Sequence, residues 1–431
     1  MNKKWWQDLS PIGIFNSLTV LIAFLLPITK KGLPMVIAFW ALMGIWSSWH
    51  HRPKVSKRSL LSLIVFYVLH LFGLFQASNI KTALFHLEVK ASFLLFPVIW
   101  LLQAEIENKQ RFRVMMAFVY GCLFYFFYSF AKAFWRFQET AVPDVFFYNE
   151  LADYFHPTYI ATYFALGFLM LGWLAYKQVH ILGKRWVHHL MEALFLVFIG
   201  LLSSKAGYLC ALMSLGFLAI LWLKRKRLGV ALTYAIMGTF IMASTIMASP
   251  KSQSRIKEMT NSVQAPPTND IREELGESAY SDQAETLESR GKGSTAGRII
   301  AWEAALVIIA QHPFGVGTAD ATNALKVEYE KMGASYNLEH ELNAHNQFLQ
   351  STLEFGYLGF LSLAMIFVFG IRSALRRNDF IFLAFMFLLF INMLFESFWE
   401  VQSGVVFVSF FFCFFVCSEY QKTTKKIGAW T

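Results

Sequence analysis

Long apolar runs recur through this chain and constrain it more than any other feature. Twelve are present, at 11–28, 33–49, 59–77, 84–103, 112–135, 158–176, 190–203, 206–223, 229–248, 346–371, 379–395 and 404–418. A helix crosses a bilayer with about 20 mostly apolar residues, and in lipid its backbone groups must find partners within the segment. The expected fold is therefore an all-α polytopic membrane protein of about 12 transmembrane helices. Composition agrees, with 56% hydrophobic and 15% charged residues in 431, against roughly 25% charged in a soluble domain. Disorder, a disulfide-stapled secreted domain and an ordinary cytosolic enzyme are excluded. Cys122, Cys210, Cys413 and Cys417 all lie within apolar runs, which argues against a disulfide framework or a cysteine–zinc site. The run at 84–103 is the weakest, because it carries Glu88 and Lys90. The first run resembles a signal peptide, but Pro27-Ile28-Thr29 is a poor cleavage site, so a retained helix is expected. The 45 Phe and 13 Trp suit lipid-facing surfaces and interfacial belts.

The net charge of +10 is distributed by side. One alternate set of loops holds Lys3, Lys4, Arg52, Lys54, Lys57, Arg58, Lys109, Arg111, Arg113, Lys177, Lys184, Arg185, Lys224 to Arg227, Arg372, Arg376, Arg377, Lys422, Lys425 and Lys426. The other short loops hold only Lys30, Lys31, Lys81 and Lys205. Basic loops stay cytoplasmic, so both termini are expected inside. The basic runs then read as topology signals, with no nucleic-acid partner. The chain divides into 1–248 with nine spans, an external loop at 249–345, three more spans at 346–418 and a cytoplasmic tail at 419–431.

The external loop is about a fifth of the chain. Its first half is polar and expected to be flexible. Its second half contains the apolar stretch 298–311, too short to span, ended by His312-Pro313 and the Gly315-Val316-Gly317 turn. Such a helix is expected to lie in the membrane interface. Polar groups expected on the external side are His156, Lys205, Arg298, His312, His340, His345, Asn346, Glu396, Glu400 and Gln402. Several have plain structural alternatives: Lys205 as a solvated turn residue, Arg298 as a headgroup anchor, His312 as a helix end. Glu396 and Glu400 are one helical turn apart and face either a cavity or water. His340 and His345 are five residues apart, about 140° around a helix. That is wrong for the i, i+4 histidine pair of a zinc protease, so no metal is expected. His345 sits where the loop enters a span, and Gly356 and Gly359 thin one face of that helix for close packing. Its imidazole suits a general base near neutral pH.

His345, Asn346, Gly356 and Gly359 match the His-[Asn/Ser/Gln]-x9-Gly-x2-[Gly/Thr/Tyr] signature of the O-antigen ligase and polymerase superfamily, which this sequence resembles. Arg298-x3-Trp302-x2-Ala305 with Pro313-x-Gly315-x-Gly317 resembles its loop motif, and Ser203-Ser204-Lys205-Ala206-Gly207 its Ser-Arg-Gly turn. The first 150 residues agree only in hydropathy. The resemblance implies a GT-C-like, inverting, metal-independent glycosyltransferase that needs no cofactor. Its donor would be a glycan on undecaprenyl pyrophosphate and its acceptor lipid A-core or another glycan. Carried over by position, His345 is the base, and Arg298 and Lys205 hold the donor diphosphate. His156, Asn346, Glu396, Glu400 and Gln402 are second-tier or acceptor-site candidates. The chain departs from the family at Lys205, where arginine is usual, which leaves Arg290 or Lys292 as substitute cations. The short polar tail favours a ligase of lipopolysaccharide synthesis over a polymerase. A protein O-glycosyltransferase and, from another class, a 12-span transporter are the alternatives. The long external loop after span nine is unlike the central cytoplasmic loop of common 12-span transporters.

Overall fold

The computed structural model describes residues 10–49, 58–263 and 295–419. Among these residues every regular element is helical, apart from one isolated bridge between Ile106 and Ser418. The helices are α1 (Pro11–Leu25), α2 (Leu33–Ser48), α3 (Leu61–Gly73), α4 (Ile80–Lys90), α5 (Ser92–Leu101) and α6 (Asn108–Thr140). They continue with α7 (Tyr148–Ala152), α8 (Pro157–Tyr176), α9 (Arg185–Leu201), α10 (Lys205–Lys224), α11 (Leu228–Ala248) and α12 (Pro250–Val263). The last six are α13 (Ala296–Gln311), α14 (Ala321–Lys331), α15 (Ser335–Glu339), α16 (Gln347–Arg377), α17 (Phe380–Phe395) and α18 (Gln402–Cys417).

Every apolar run of the sequence is helical. Among the described residues six helical stretches are long and apolar enough to cross a membrane: Ile80–Leu101, α6, α8, α10, α11 and α16. Five apolar helices are shorter, namely α1, α2, Arg58–Gly73, α17 and α18, and α9 has 17 residues. The run at 112–135 belongs to a helix of 33 residues, about 50 Å long at 1.5 Å per residue.

Two helices are wholly enclosed. In α8 every residue from Pro157 to Ala175 is buried, and in α18 every residue from Ser403 to Cys417. A helix that is apolar all round belongs inside a bundle; α8 packs against α6, α9, α10 and α17. This corrects the lipid-facing assignment of the aromatics. Phe407, Phe410, Phe411, Phe412, Phe414 and Phe415 are core residues, because α18 has neighbours on all sides. Phe407 stacks on Tyr163 of α8 with centroids 4.3 Å apart. Other aromatics, Trp46, Phe72, Phe124 and Trp135 among them, do remain on the bundle surface.

Arg111 also departs from its sequence assignment as a loop topology signal. It is buried, with Nη1 2.8 Å from Oδ2 of the buried Asp379, which caps α17. A buried guanidinium requires such a partner.

In the loop before α16, α13 and α14 build a small second core. Ala301, Ala304, Ala305 and Ile308 meet Leu325, Tyr329, Ala344 and Leu353. The helix expected at 298–311 thus exists, as α13, but with a packed inner face. The polar half of the loop begins as α12; the remainder, with Arg290 and Lys292, lies outside the described residues.

The junction between loop and bundle corrects the glycine reading. Gly356 does not thin a helix face; it breaks α16. Phe355 and Gly356 leave helical geometry, with Gly356 at φ 60°. A Cβ on Gly356 would stand 1.9 Å from the Pro313 carbonyl oxygen. The break frees the Leu353 and Glu354 carbonyls, which accept from the Val316 and Gly317 N–H groups at 2.9 and 3.0 Å. Broken helices persist where another segment satisfies the freed backbone. Gly359 likewise makes room for its own chain: a Cβ there would meet the Ser351 carbonyl oxygen at 1.9 Å.

Candidate active site

Four helix N-termini gather at one end of the bundle, each with a polar cap. His156 caps α8, and Ser204 caps α10 by accepting from Gly207 N–H at 3.1 Å. Thr295 precedes α13, and Asn346 caps α16, accepting from Phe348 and Leu349 N–H groups at 2.9 and 3.2 Å. The caps are linked by side chains. Thr158 Oγ1 is 3.0 Å from Ser204 Oγ, and Lys205 Nζ donates to Thr295 Oγ1. A helix N-terminus carries partial positive charge and unpaired N–H groups, so this convergence favours an anion.

At its centre lies Glu396, which ends α17 and is buried. Oε1 accepts from Arg298 Nη2 at 2.7 Å and from Thr158 Oγ1 at 3.4 Å. Oε2 is 3.2 Å from His345 Nδ1. Burial alone would raise the Glu396 pKa. The hydrogen bond with His345 and the charges of Arg298 and His156 outweigh it and hold the carboxyl at about 2. With Glu396 ionised, Nδ1 is placed to donate to it, and the neutral imidazole in that tautomer carries its lone pair on Nε2. His345 itself is 24% exposed while Glu396 is 5% exposed, so the imidazole is the member of the pair that a substrate can reach.

The backbone is strained at two of these positions. His345 has φ 44° and Ser203 φ 49°. Neither is glycine, and strain of this kind concentrates at functional sites. His345 N–H donates to Asn343 Oδ1 at 2.9 Å, a local turn that fixes the histidine. Arg298 offers one donor to Glu396, while its buried Nε has no partner.

The structure therefore brings together His345, Arg298, Glu396 and Lys205, with His156 beside them feeling the charges of Glu396, Arg298 and His345. Asn346 serves the helix as its cap. Gln402 is exposed and lines a different recess with Lys30, Phe155 and Tyr163. His312 and His340 are exposed on the loop.

Glu400 belongs to a second cluster that the sequence did not suggest. It pairs with Lys90 at 2.9 Å, and Lys90 also reaches Glu354 at 3.4 Å. His70 Nε2 is 3.4 Å from Glu354, and His86 Nδ1 is 3.7 Å from Glu400. Gln347 joins the two clusters, donating from Nε2 to Glu400 Oε1 at 3.3 Å from a position two residues after His345. The available signal was a pair of charges inside an apolar run, since an ionisable residue at membrane depth is almost always paired or functional. His86, Glu354 and Glu400 form the one cation-sized group of ligand atoms among the described residues. Lys90 already supplies the positive charge between its carboxylates.

Recesses also lie elsewhere. One of about 370 Å³ is lined by Val20, Phe112, Arg113, Met116, Tyr120 and His180. It is mainly apolar and no carboxylate is among its lining residues, so volume alone does not mark the chemistry.

Residues 190–364 match the family described as O-antigen ligase. No curated protein matches the chain. The matched segment includes Lys205, Arg298, His345 and Gly356, while His156, Glu396 and Glu400 lie beyond it. This segment, which carries the base candidate, two cations and the break in α16, is what the chain shares with the O-antigen ligase family.

Proposed function

We propose that the protein transfers a glycan from undecaprenyl pyrophosphate to lipid A-core, with inversion and without a metal. The observation that carries this reading is one buried carboxylate, Glu396, holding a base and a cation side by side: His345 on Oε2 and Arg298 on Oε1.

The chemistry follows from that arrangement. An acceptor hydroxyl attacks the anomeric carbon, and His345 Nε2 takes its proton as the new C–O bond forms. The bond from the anomeric carbon to the diphosphate breaks, and its electron pair stays on the leaving oxygen. Glu396 keeps Nδ1 protonated and offsets the charge of the imidazolium. Arg298, Lys205 and the helix N-termini stabilise the growing negative charge on the diphosphate. Arginine acts as a planar fork and lysine as a point charge. His345 then loses its proton to water. A single displacement on the face opposite the diphosphate inverts the anomeric centre.

Twelve spans, with both termini cytoplasmic and the site on the periplasmic face of the inner membrane, complete the reading. Its support is the polarity of the helices. α10 and α16 begin at the site and end at Lys224 and Arg376-Arg377, among the basic residues that favour the cytoplasm.

The test uses purified protein, a glycan on undecaprenyl pyrophosphate, lipid A-core and EDTA. Capped lipid A-core with release of undecaprenyl pyrophosphate is expected. Lengthened lipid-linked glycan with no capping would instead make the protein a polymerase. Absence of any transfer, or loss on chelation restored by a divalent ion, would overturn the mechanism.

A further inference from the structure

Arg255 lies on α12, in the polar half of the loop, on a helix that is tied to the turn before α10. One turn earlier, Ser252 fastens this helix to the Ser203-Ser204-Lys205 turn. Its Oγ is 2.7 Å from Ser203 Oγ and accepts from Tyr208 Oη at 2.9 Å. From that anchor the half-buried Arg255 lays its guanidinium 4.0 Å over the ring of Tyr148. His156 and Tyr208 both feel its charge, which puts it beside the caps of α8 and α10. Its Nε is buried without a hydrogen-bond partner, as is that of Arg298. Among the described residues no carboxylate pairs with it. A stacked guanidinium with an unpaired buried N–H has its orientation fixed and a donor unused, which suits an incoming anion.

We propose that Arg255 is a third ligand of the donor's diphosphate, giving from α12 the arginine fork that Lys205 cannot give from the turn. This rests on the function proposed above. It also changes where the substitute for the family arginine is sought, since Arg290 and Lys292 were the sequence-based candidates.

The test compares Arg255→Ala, Arg255→Lys, Arg298→Ala and His345→Ala in the transfer assay, with initial rates over a range of lipid-diphosphate donor and inhibition by undecaprenyl pyrophosphate. Arg255→Ala is expected to raise the donor KM, and the inhibition constant of undecaprenyl pyrophosphate, by about 10- to 100-fold, the range for losing a hydrogen bond to a charged group. kcat is expected to change less, and Arg255→Lys to recover part of the loss. A donor KM and an inhibition constant within about twofold of wild type, or a lowered kcat and melting temperature with KM unchanged, would overturn the proposal. If Arg298→Ala and His345→Ala are impaired while Arg255→Ala behaves as wild type, this inference alone falls. If Arg298→Ala and His345→Ala both transfer normally, the mechanism beneath it falls as well.

Discussion

Glu396 is the residue on which the proposed site depends, since it holds both His345 and Arg298. Replacing it with glutamine keeps the shape and removes the charge that His345 and Arg298 share. Loss of a hydrogen bond to a charged group costs about 1.5–3 kcal/mol, so Glu396→Gln should lower the melting temperature in detergent at neutral pH. The sign of the pH effect follows from the carboxyl, held at about 2 when folded against 4.5 when free. The folded value is the lower one, so the stabilisation is present above about pH 4.5 and is lost as pH falls towards 2. The melting difference between wild type and Glu396→Gln should therefore narrow on going from about pH 6 to about pH 3; a constant difference would contradict an ionised Glu396. Lys205→Ala should slow transfer by about 2.7–4 kcal/mol of barrier, the cost of removing one oxyanion-stabilising contact, and Lys205→Arg should restore much of it. Initial rates against donor concentration decide, and wild-type behaviour of Lys205→Ala would make it a turn lysine. His345, Arg298 and Lys205 were legible in the sequence, because each sits in a short local motif. Glu396 stood out only as one acid among several, since its partners His345 and Arg298 are 51 and 98 residues away. Arg255 was illegible, because a polar, Ser-rich segment carries no local sign of what it faces.

Among the elements, the broken helix α16 shows how local sequence sets the geometry. Gly356 is fixed by its φ of 60° and by the Pro313 carbonyl 1.9 Å from where a Cβ would be. Gly356→Ala should therefore dislodge the Pro313–Gly317 loop and lower both melting temperature and transfer rate. A variant as stable and active as wild type would mean that the break is not required. Lys90→Met tests the second cluster. It leaves Glu354 and Glu400 as buried charges without their cation, which should cost about 3–5 kcal/mol. A melting temperature equal to wild type would show that the cluster contributes no stability. The positions of the helices were legible from apolar length. Their environments were not: α8 and α18 look like any other span in hydropathy, and only the surrounding helices make them interior. The proposed helix-thinning role of Gly356 and Gly359 was wrong for a similar reason, because spacing does not reveal a break whose carbonyls are taken by a distant loop.

At the scale of the whole molecule, the proposed orientation rests on loop charge and helix polarity. Cysteines introduced at 150 and 226 should divide cleanly: with an impermeant thiol reagent on intact cells, 150 labels and 226 does not. Labelling at 226 would place the site in the cytoplasm, where the proposed donor and acceptor do not meet. The most direct measurement is the transfer rate of His345→Ala, made with folded protein. His345 is partly exposed at the end of a loop, so expression and melting temperature should stay near wild type. Transfer from undecaprenyl pyrophosphate should fall by about 10²- to 10⁴-fold, the loss that follows removal of a general base. A stable His345→Ala protein that transfers glycan at near the wild-type rate would contradict its role as the base.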